Sequence, residues 1–491
     1  MQIWIYWTGF LLYSAIVLAI GWRGYRRGGP STEADADFWA AGKALGPWAT
    51  GLSISASFMS ISWSCVYAVQ LAYWYGLSAI WLLAVPWLTV MAIYYVLTPY
   101  FRRLPAFSQP EMLAQRFGAR VRVYFALPLA FVFLIWGGAE IYAAAQILAP
   151  ILRVPFHFIL ALIAVIVAAY SFMGGFAAVV TTDKVQFVLV AFFIVTISWV
   201  AVNAVGTVDS FASFVSNLPA PPMTQAPVFS LFAAGFGLIV VTLIAYLPGW
   251  VIETDIWLRL QASKSDRTAR QGVLIATLNS LVFIAALPML IGVTSLYLYP
   301  PQGAEIPEIL NDGAAIISVL INNHTPTALS VALIVGLAAA SMSTIDTCGN
   351  VVALSLSYDV VEPLLERRKV AVNRKTVARV FSAGAVMLAY VYAIFTESLW
   401  DIFYLSSGVL TTTIFIPMIA LFRKNVQTRQ VQAAAVVGFA TTIAFYFMES
   451  HGAMAVVEPN WLAKTGLGYI LWSFLCSFAA FILVGKNTSE N

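Results

Sequence analysis

The chain has 491 residues, of which 61% are apolar and only 10% are charged, and its net charge is +4. A soluble domain carries about 25% charged residues, so these few charges cannot cover a water-exposed surface, and lipid must surround most of the chain. Its three cysteines and three histidines are scattered. They argue against a disulfide framework, a metal cluster and a haem held by paired histidines.

Thirteen segments are long and apolar enough to cross a membrane as helices, which takes roughly 20 residues each. The first has no basic residue before it and arginines after it, which indicates a spanning helix and not a cleavable signal. The sequence therefore predicts an all-α membrane protein. We predict spans at 4–22, 45–73, 76–100, 122–151, 155–173, 181–206, 229–256, 271–299, 327–358, 376–396, 399–421, 430–448 and 466–485.

The basic residues predict the orientation of these spans. With the N-terminus outside, all 26 Lys and Arg residues except Arg153 and Lys464 fall on the cytoplasmic side, as the positive-inside rule requires. One missed or added helix would invert every later loop and destroy this distribution. We therefore expect an integral protein of the bacterial inner membrane with its C-terminus in the cytoplasm.

Two spans carry signs of an interrupted helix. A run of serines lies between Ser53 and Ser64 in the second span, and Pro248-Gly249 lies in the middle of the seventh. Interrupted helices at matching places in two halves of a chain indicate the binding site of a transporter. The spacing predicts two inverted five-helix repeats. The predicted segments are 1–36 (first helix and loop), 37–206 (first repeat, spans 2–6), 207–425 (second repeat, spans 7–11) and 426–491 (two peripheral helices).

The ninth span contains a polar pattern that suits a monovalent cation. Ala340, Ser343 and Thr344 stand at i, i+3 and i+4, so they share one helix face. A kink between Ala56 and Met59 would release two backbone carbonyls from their helical partners. Hard cations prefer such oxygen ligands. Small polar residues also allow close helix packing, and the pattern alone leaves that alternative open.

Five segments in chain order resemble the sodium:solute symporter family, the group that includes bacterial proline, sialic acid and sugar symporters. The resemblance covers about residues 35–425 and implies a LeuT-like core and a secondary active transporter, not an enzyme, with Na⁺ as the coupling ion. The segments are 38–46, 56–60, 170–176 followed by Thr182-Asp183, 255–265 and 340–344.

The resemblance also implies roles for individual residues. It implies that Asp183 assists the exit of sodium toward the cytoplasm. It implies a sodium site at Ala56, Met59, Ala340, Ser343 and Thr344.

The substrate is expected to bind at the two breaks, where the candidate cavity residues are Trp63, Gln70, Glu140, Tyr246, Trp250 and Ser407. Proline-type symporters have an aspartate at the position of Phe58, and the polar set of the sugar symporters has no clear equivalent here. We therefore favour an amino acid or a small carboxylate over a sugar as the substrate.

Other functions stay open at this point. Ionisable residues at membrane depth are usually functional, so Glu140, Asp183 or Asp346 could couple transport to protons. A sensor built on a transporter core is a remote alternative.

Asp255 and Arg259, four residues apart, favour an ion pair. We expect a small solute and the lipid bilayer as partners, with no nucleic acid, no obligatory protein partner and no metal beyond sodium.

Overall fold

A computed structural model describes residues 2–27, 44–104, 106, 108–173, 176–206, 211–369 and 373–486, and it describes the backbone alone for 2, 24, 25, 27, 176–184, 211, 366, 367, 374, 375 and 486. Throughout these residues every extended regular element is a helix, which confirms the all-α prediction. The first half of the chain forms α1 (Gln2–Arg27), α2 (Pro47–Phe58), α3 (Ile61–Trp81), α4 (Ala84–Arg102), α5 (Gln109–Phe117), α6 (Val121–Leu152), α7 (Phe156–Met173) and α8 (Phe176–Ala204).

The second half continues the same architecture. Within the described residues, 12 helices are long and apolar enough to span a membrane, and α2 with α3 make a thirteenth span. The predicted number of spans is therefore confirmed. The helices of this half are α9 (Phe211–Ser216), α10 (Phe236–Val251), α11 (Thr254–Gln261), α12 (Asp266–Leu298), α13 (Ile316–His324), α14 (Thr327–Leu365), α15 (Arg374–Ile394), α16 (Leu399–Ala420), α17 (Thr428–Ser450) and α18 (Gly468–Lys486).

The first interruption lies where the serine run predicts it. Helix α2 ends at Phe58, Met59 leaves the helical region with ψ 59°, and Ser60 is extended. The axes of α2 and α3 differ by 58° across this break.

The second interruption lies further along the chain than predicted. We expected it at Pro248-Gly249, but α10 continues through both residues to Val251. The backbone N–H of Gly249 donates to Thr411 Oγ1 at 3.1 Å, so a neighbouring side chain satisfies the backbone beside the proline. The break itself falls at Ile252 and Glu253, before α11 begins.

Burial shows which helices form the centre of the bundle. In the most apolar stretch of α16, 89% of the residues are buried, and in that of α14 the share is 67%. Helices α1, α12 and α17 are buried over only 28% of theirs, which places them at the lipid-facing periphery. The two central helices carry many of the buried hydroxyl groups, including Ser343, Thr344 and Ser407.

Helices α3 and α12 approach closely because Gly292 has no side chain. A β-carbon at Gly292 would lie 2.4 Å from Ala72 Cβ and 2.7 Å from the carbonyl oxygen of Val69, whereas one at Gly384 would meet nothing within 4 Å. Overpacking a tightly packed interior costs about 1–3 kcal/mol. We expect Gly292→Ala to lower the melting temperature of the purified protein.

The matched control is Gly384→Ala, which should leave the melting temperature unchanged or raise it slightly, because alanine favours a helix more than glycine does. Equal melting temperatures for the two variants would contradict the close approach of α3 and α12.

Candidate binding site at the two helix breaks

The N-terminus of α3 is satisfied by two side chains. The carboxylate of Glu140 on α6 accepts hydrogen bonds from the backbone N–H groups of Ile61 at 2.8 Å and Ser62 at 3.0 Å, and from Ser62 Oγ at 2.6 Å. Ser60 Oγ accepts from the N–H of Trp63 at 2.9 Å. Glu140 has no solvent exposure. A buried carboxyl group therefore accepts from the N–H groups that a helix start leaves without partners.

The C-terminus of α2 presents backbone oxygens toward α14. Thr344 Oγ1 lies 3.4 Å from the carbonyl oxygen of Ser57, and Ser64 Oγ donates to the carbonyl of Phe58 at 3.2 Å. The carbonyl oxygens of Ala56 and Met59 accept no hydrogen bond from the described part of the chain. The break thus leaves oxygens available at the negative end of α2.

The second break is bridged by one amide side chain. Gln109 on α5 donates to the carbonyl of Ile252, and its own amide oxygen accepts from Thr254 Oγ1 at 2.5 Å. Glu253 lies between Ile252 and Thr254 in the chain, and only 1% of it is exposed. Its Oε2 has no hydrogen-bond partner among the described residues.

Arg259 connects α11 to the two helices beside it. Its guanidinium forms the expected ion pair with Asp255, which confirms the pairing predicted from their spacing. The same guanidinium donates to Ser53 Oγ on α2 at 2.9 Å and to Thr347 Oγ1 on α14 at 3.3 Å. Because Arg259 is fully buried, this charge is held by protein groups and not by water.

One cavity lies between the two breaks. Trp63, Trp250 and Ser407, three of the six predicted cavity residues, line it, and so does Thr344 of the predicted sodium site. The other lining residues are Ser57, Phe58, Ser60, Ser62, Trp87, Phe133, Trp136, Glu253, Asp255, Thr347, Cys348 and Phe403.

Aromatic rings form one side of this cavity. The ring of Trp250 stacks on Tyr246, with centroids 4.4 Å apart, and its indole N–H donates to Ser407 Oγ at 3.2 Å. Trp63 meets Trp250 edge-on at 5.3 Å and Phe403 at 4.8 Å. Tyr246 therefore supports the wall from behind.

The remaining predicted residues lie elsewhere. Glu140 stands behind the first break, and the amide of Gln70 donates to the carbonyl of Asp312 in the loop before α13. Asp346 accepts from Ser171 Oγ on α7 at 3.0 Å, on a face away from the cavity. The side chain of Asp183 lies outside the described residues, so its predicted role stays a prediction.

Sequence reasoning missed several lining residues. Trp87 and Trp136 come from uninterrupted spans, where nothing local distinguishes an inward-facing tryptophan from one that faces lipid. Glu253 was not among the predicted cavity residues. Its position before a new helix start, a usual place for an N-cap residue, was the available signal.

Comparison with known proteins assigns the family. The model of the sodium:solute symporter family matches residues 38–438. The chain belongs to this family. It is a sodium-coupled solute transporter that crosses the membrane many times, and Na⁺ is its coupling ion, as the sequence predicts.

Individual relatives are more distant. This symporter is 24% identical to the sodium/sialic acid symporter NanT of Aliivibrio fischeri over 485 residues, which are 92% of this chain and 91% of the relative. It is 26% identical to sodium/proline symporter 2 of Staphylococcus saprophyticus over 247 residues, about half the length (48%) of that relative. A solved Na⁺-coupled sialic acid symporter in a substrate-bound outward-open state has a TM-score of 0.71 and 19% identity, with 98% of both chains covered. The likeness to that structure shows the shared fold.

The contacts of Glu140 make a prediction about the first break. In Glu140→Ala the N–H groups of Ile61 and Ser62 lose their acceptor, and each unsatisfied buried group costs about 1–3 kcal/mol. Glu140→Gln offers one acceptor oxygen and turns an NH₂ group toward the second donor. We expect both variants to lower the melting temperature, Ala more than Gln, at a fixed heating rate.

Glu308→Gln provides the control, because this carboxylate is exposed in a short 3-10 helix and its neutralisation should change stability by less than about 0.5 kcal/mol. A Glu140→Ala protein as stable as this control would contradict the role of Glu140 at the break.

Proposed function

We propose that the symporter moves a small organic solute by alternating access, with sodium bound between α2 and α14. The proposed ligands are the carbonyl oxygens of Ala56, Met59 and Ala340 and the hydroxyls of Ser343 and Thr344. The observation that carries the proposal is the contact of Thr344 with the carbonyl of Ser57 at the broken end of α2, where the carbonyls of Ala56 and Met59 accept no hydrogen bond from the described residues. A cation without its water needs such oxygens, and the negative end of a helix favours it further.

The solute would bind in the cavity beside this ion. The sequence favours an amino acid or a small carboxylate, with a sugar as the alternative, and the relatives named above transport sialic acid or proline. Alternating access would move the repeats at 37–206 and 207–425 relative to each other around the two breaks. Asp183 is proposed to assist the exit of sodium.

Proton coupling through Glu140 or Asp346 is the competing mechanism. Three donors hold the carboxylate of Glu140 behind the first break, outside the lining of the cavity. Asp346 accepts from Ser171 and Asn350 in the same way.

The distribution of basic residues supports a location and an orientation. We propose that the protein lies in the bacterial inner membrane with its N-terminus outside and its C-terminus in the cytoplasm. In this orientation the lining residues Glu253 and Asp255 lie on the cytoplasmic side of the cavity, because they come late in a span that runs inward.

Sodium binding can be tested before any substrate is known. Sodium that binds only the folded protein raises its melting temperature. We expect NaCl to stabilise the wild type more than KCl at equal ionic strength, and the double variant Ser343→Ala/Thr344→Ala to lose this difference.

The matched control is Ser341→Ala on the same helix, whose hydroxyl bonds the carbonyl of Ala338 at 3.2 Å and should be silent toward sodium. An undiminished sodium effect in the double variant would exclude the proposed ligands.

A metabolite screen in NaCl and in KCl, followed by uptake of each stabilising compound into proteoliposomes, then tests symport. Equal uptake with and without a sodium gradient would contradict coupling.

A further inference from the structure

Glu253 is a lining carboxylate of the cavity that forms no ion pair with a described residue. It occupies the N-cap position of α11, yet its side chain makes no capping hydrogen bond to that helix. Its Oε2 has no partner in the described part of the chain, although the residue is 99% shielded from solvent, with 1% exposed. A buried carboxylate without a partner is costly, so a positively charged group is expected opposite it when the cavity is filled.

Among the described residues, no basic side chain is free to take that place. The nearest cation, Arg259, is committed to Asp255, Ser53 and Thr347. Within the described residues, the cavity lining contains no Lys, Arg or His. The two lining residues that can carry charge, Glu253 and Asp255, are both acidic, and only Asp255 is paired with Arg259, an arrangement that favours a cationic solute group over an anionic one.

The place where a solute carboxylate could bind is already filled. In transporters with broken helices, an anionic substrate group can bind at the N-terminus of a half-helix. Here Glu140 accepts from the N–H groups of Ile61 and Ser62 at the start of α3, and Ser60 accepts from that of Trp63. The protein supplies its own carboxyl group at this position.

Tryptophan rings border the same space as Glu253. Trp250 meets Trp63 at 5.3 Å and Trp87 at 5.3 Å between ring centroids, both nearly edge-on, and Phe58 packs on Trp87 at 4.1 Å. Aromatic faces attract weakly hydrated organic cations, for which a carboxylate beside an aromatic wall is a suitable site. Sodium, in contrast, requires a shell of oxygens, which these rings do not provide.

We propose that the transported solute carries a cationic nitrogen, and that this nitrogen binds against Glu253 within the aromatic wall formed by Trp63, Trp87 and Trp250. The proposal rests on the transport function proposed above. It narrows the solute to amines and amino-containing compounds, and it separates them from carboxylates that lack an amine.

The test compares amines with neutral molecules of the same shape. The probes are choline against 3,3-dimethylbutan-1-ol, ethanolamine against ethylene glycol, and pyrrolidine against tetrahydrofuran, with acetate and lactate as anions. The readout is the melting temperature of the purified full-length protein in NaCl and in KCl. We expect one or more amines to stabilise the wild type, more strongly in NaCl, while their neutral counterparts and the anions do not.

The variant Glu253→Gln keeps the shape of the side chain and removes its charge. Loss of one partner of a buried charge pair costs several kcal/mol, so the half-saturating amine concentration should rise at least about tenfold. The sodium effect measured without amine should persist. Glu458→Gln is the matched control, since Glu458 is also a buried carboxylate but lies outside the cavity.

A second variant covers the case in which Glu253→Gln aggregates on gel filtration. Trp87→Leu leaves the carboxylate in place and removes one aromatic face, and amine binding should weaken while the sodium effect remains. Unchanged amine binding in the folded variant overturns the proposed wall.

Other results overturn the assignment directly. The assignment of a cationic nitrogen is wrong if the neutral molecules stabilise the protein as much as the amines do. It is also wrong if no amine stabilises the protein. Loss of the amine-free sodium effect in Glu253→Gln places sodium, and not the solute, at Glu253. Absence of any sodium effect in the wild type refutes the proposed sodium site, while the comparison of amines with neutral molecules still decides the role of Glu253.

Discussion

The structure depends on how it satisfies backbone groups where two spanning helices are interrupted. In hydrocarbon, each N–H or C=O without a partner costs several kcal/mol, and a break exposes such groups at both of its ends. At the first break, Glu140 and Ser60 accept from the N–H groups of α3. At the second, Gln109 bonds the carbonyl of Ile252 and the hydroxyl of Thr254. Side chains from other helices therefore stabilise both breaks.

The two breaks differ in which polar groups they leave without a hydrogen-bond partner, and this difference determines the chemistry of the site. The N-terminal side of the first break is satisfied, so what remains there is the carbonyl oxygens of α2, which suit a cation. The second break leaves a carboxylate, Glu253, without a partner among the described residues. Both unsatisfied features are negative. The same imbalance is the basis of both proposals, sodium at the first position and a positively charged solute group at the second.

The sequence predicted those features that depend on local patterns. Hydropathy and the distribution of basic residues gave the number of spans, the serine run located the first break, and the spacing of Asp255 and Arg259 gave their ion pair. The second break was misplaced because Pro248 suggests an interruption, whereas the hydroxyl of Thr411 supports the helix through it.

What the sequence could not show is contact between distant residues. Glu140 lies 79 residues from Ile61, and Gln109 lies 143 residues from Ile252. Nothing near either polar residue in the chain indicates which helix end it satisfies. For the same reason Glu140 was expected in the cavity, although its hydrogen bonds hold it behind the break.

Coupling between sodium and solute follows from the helices that the two positions share. Helix α2 contributes the proposed sodium carbonyls and also Ser57 and Phe58 of the cavity, and α14 contributes Thr344 to the first and Thr347 to the second. Arg259 joins these two helices to α11, which begins just after Glu253. An ion that fixes α2 against α14 therefore also fixes two walls of the cavity. If sodium raises the affinity for the solute in this way, the solute must raise the affinity for sodium by the same factor. The shared helices are sufficient to link the sodium position to the solute position.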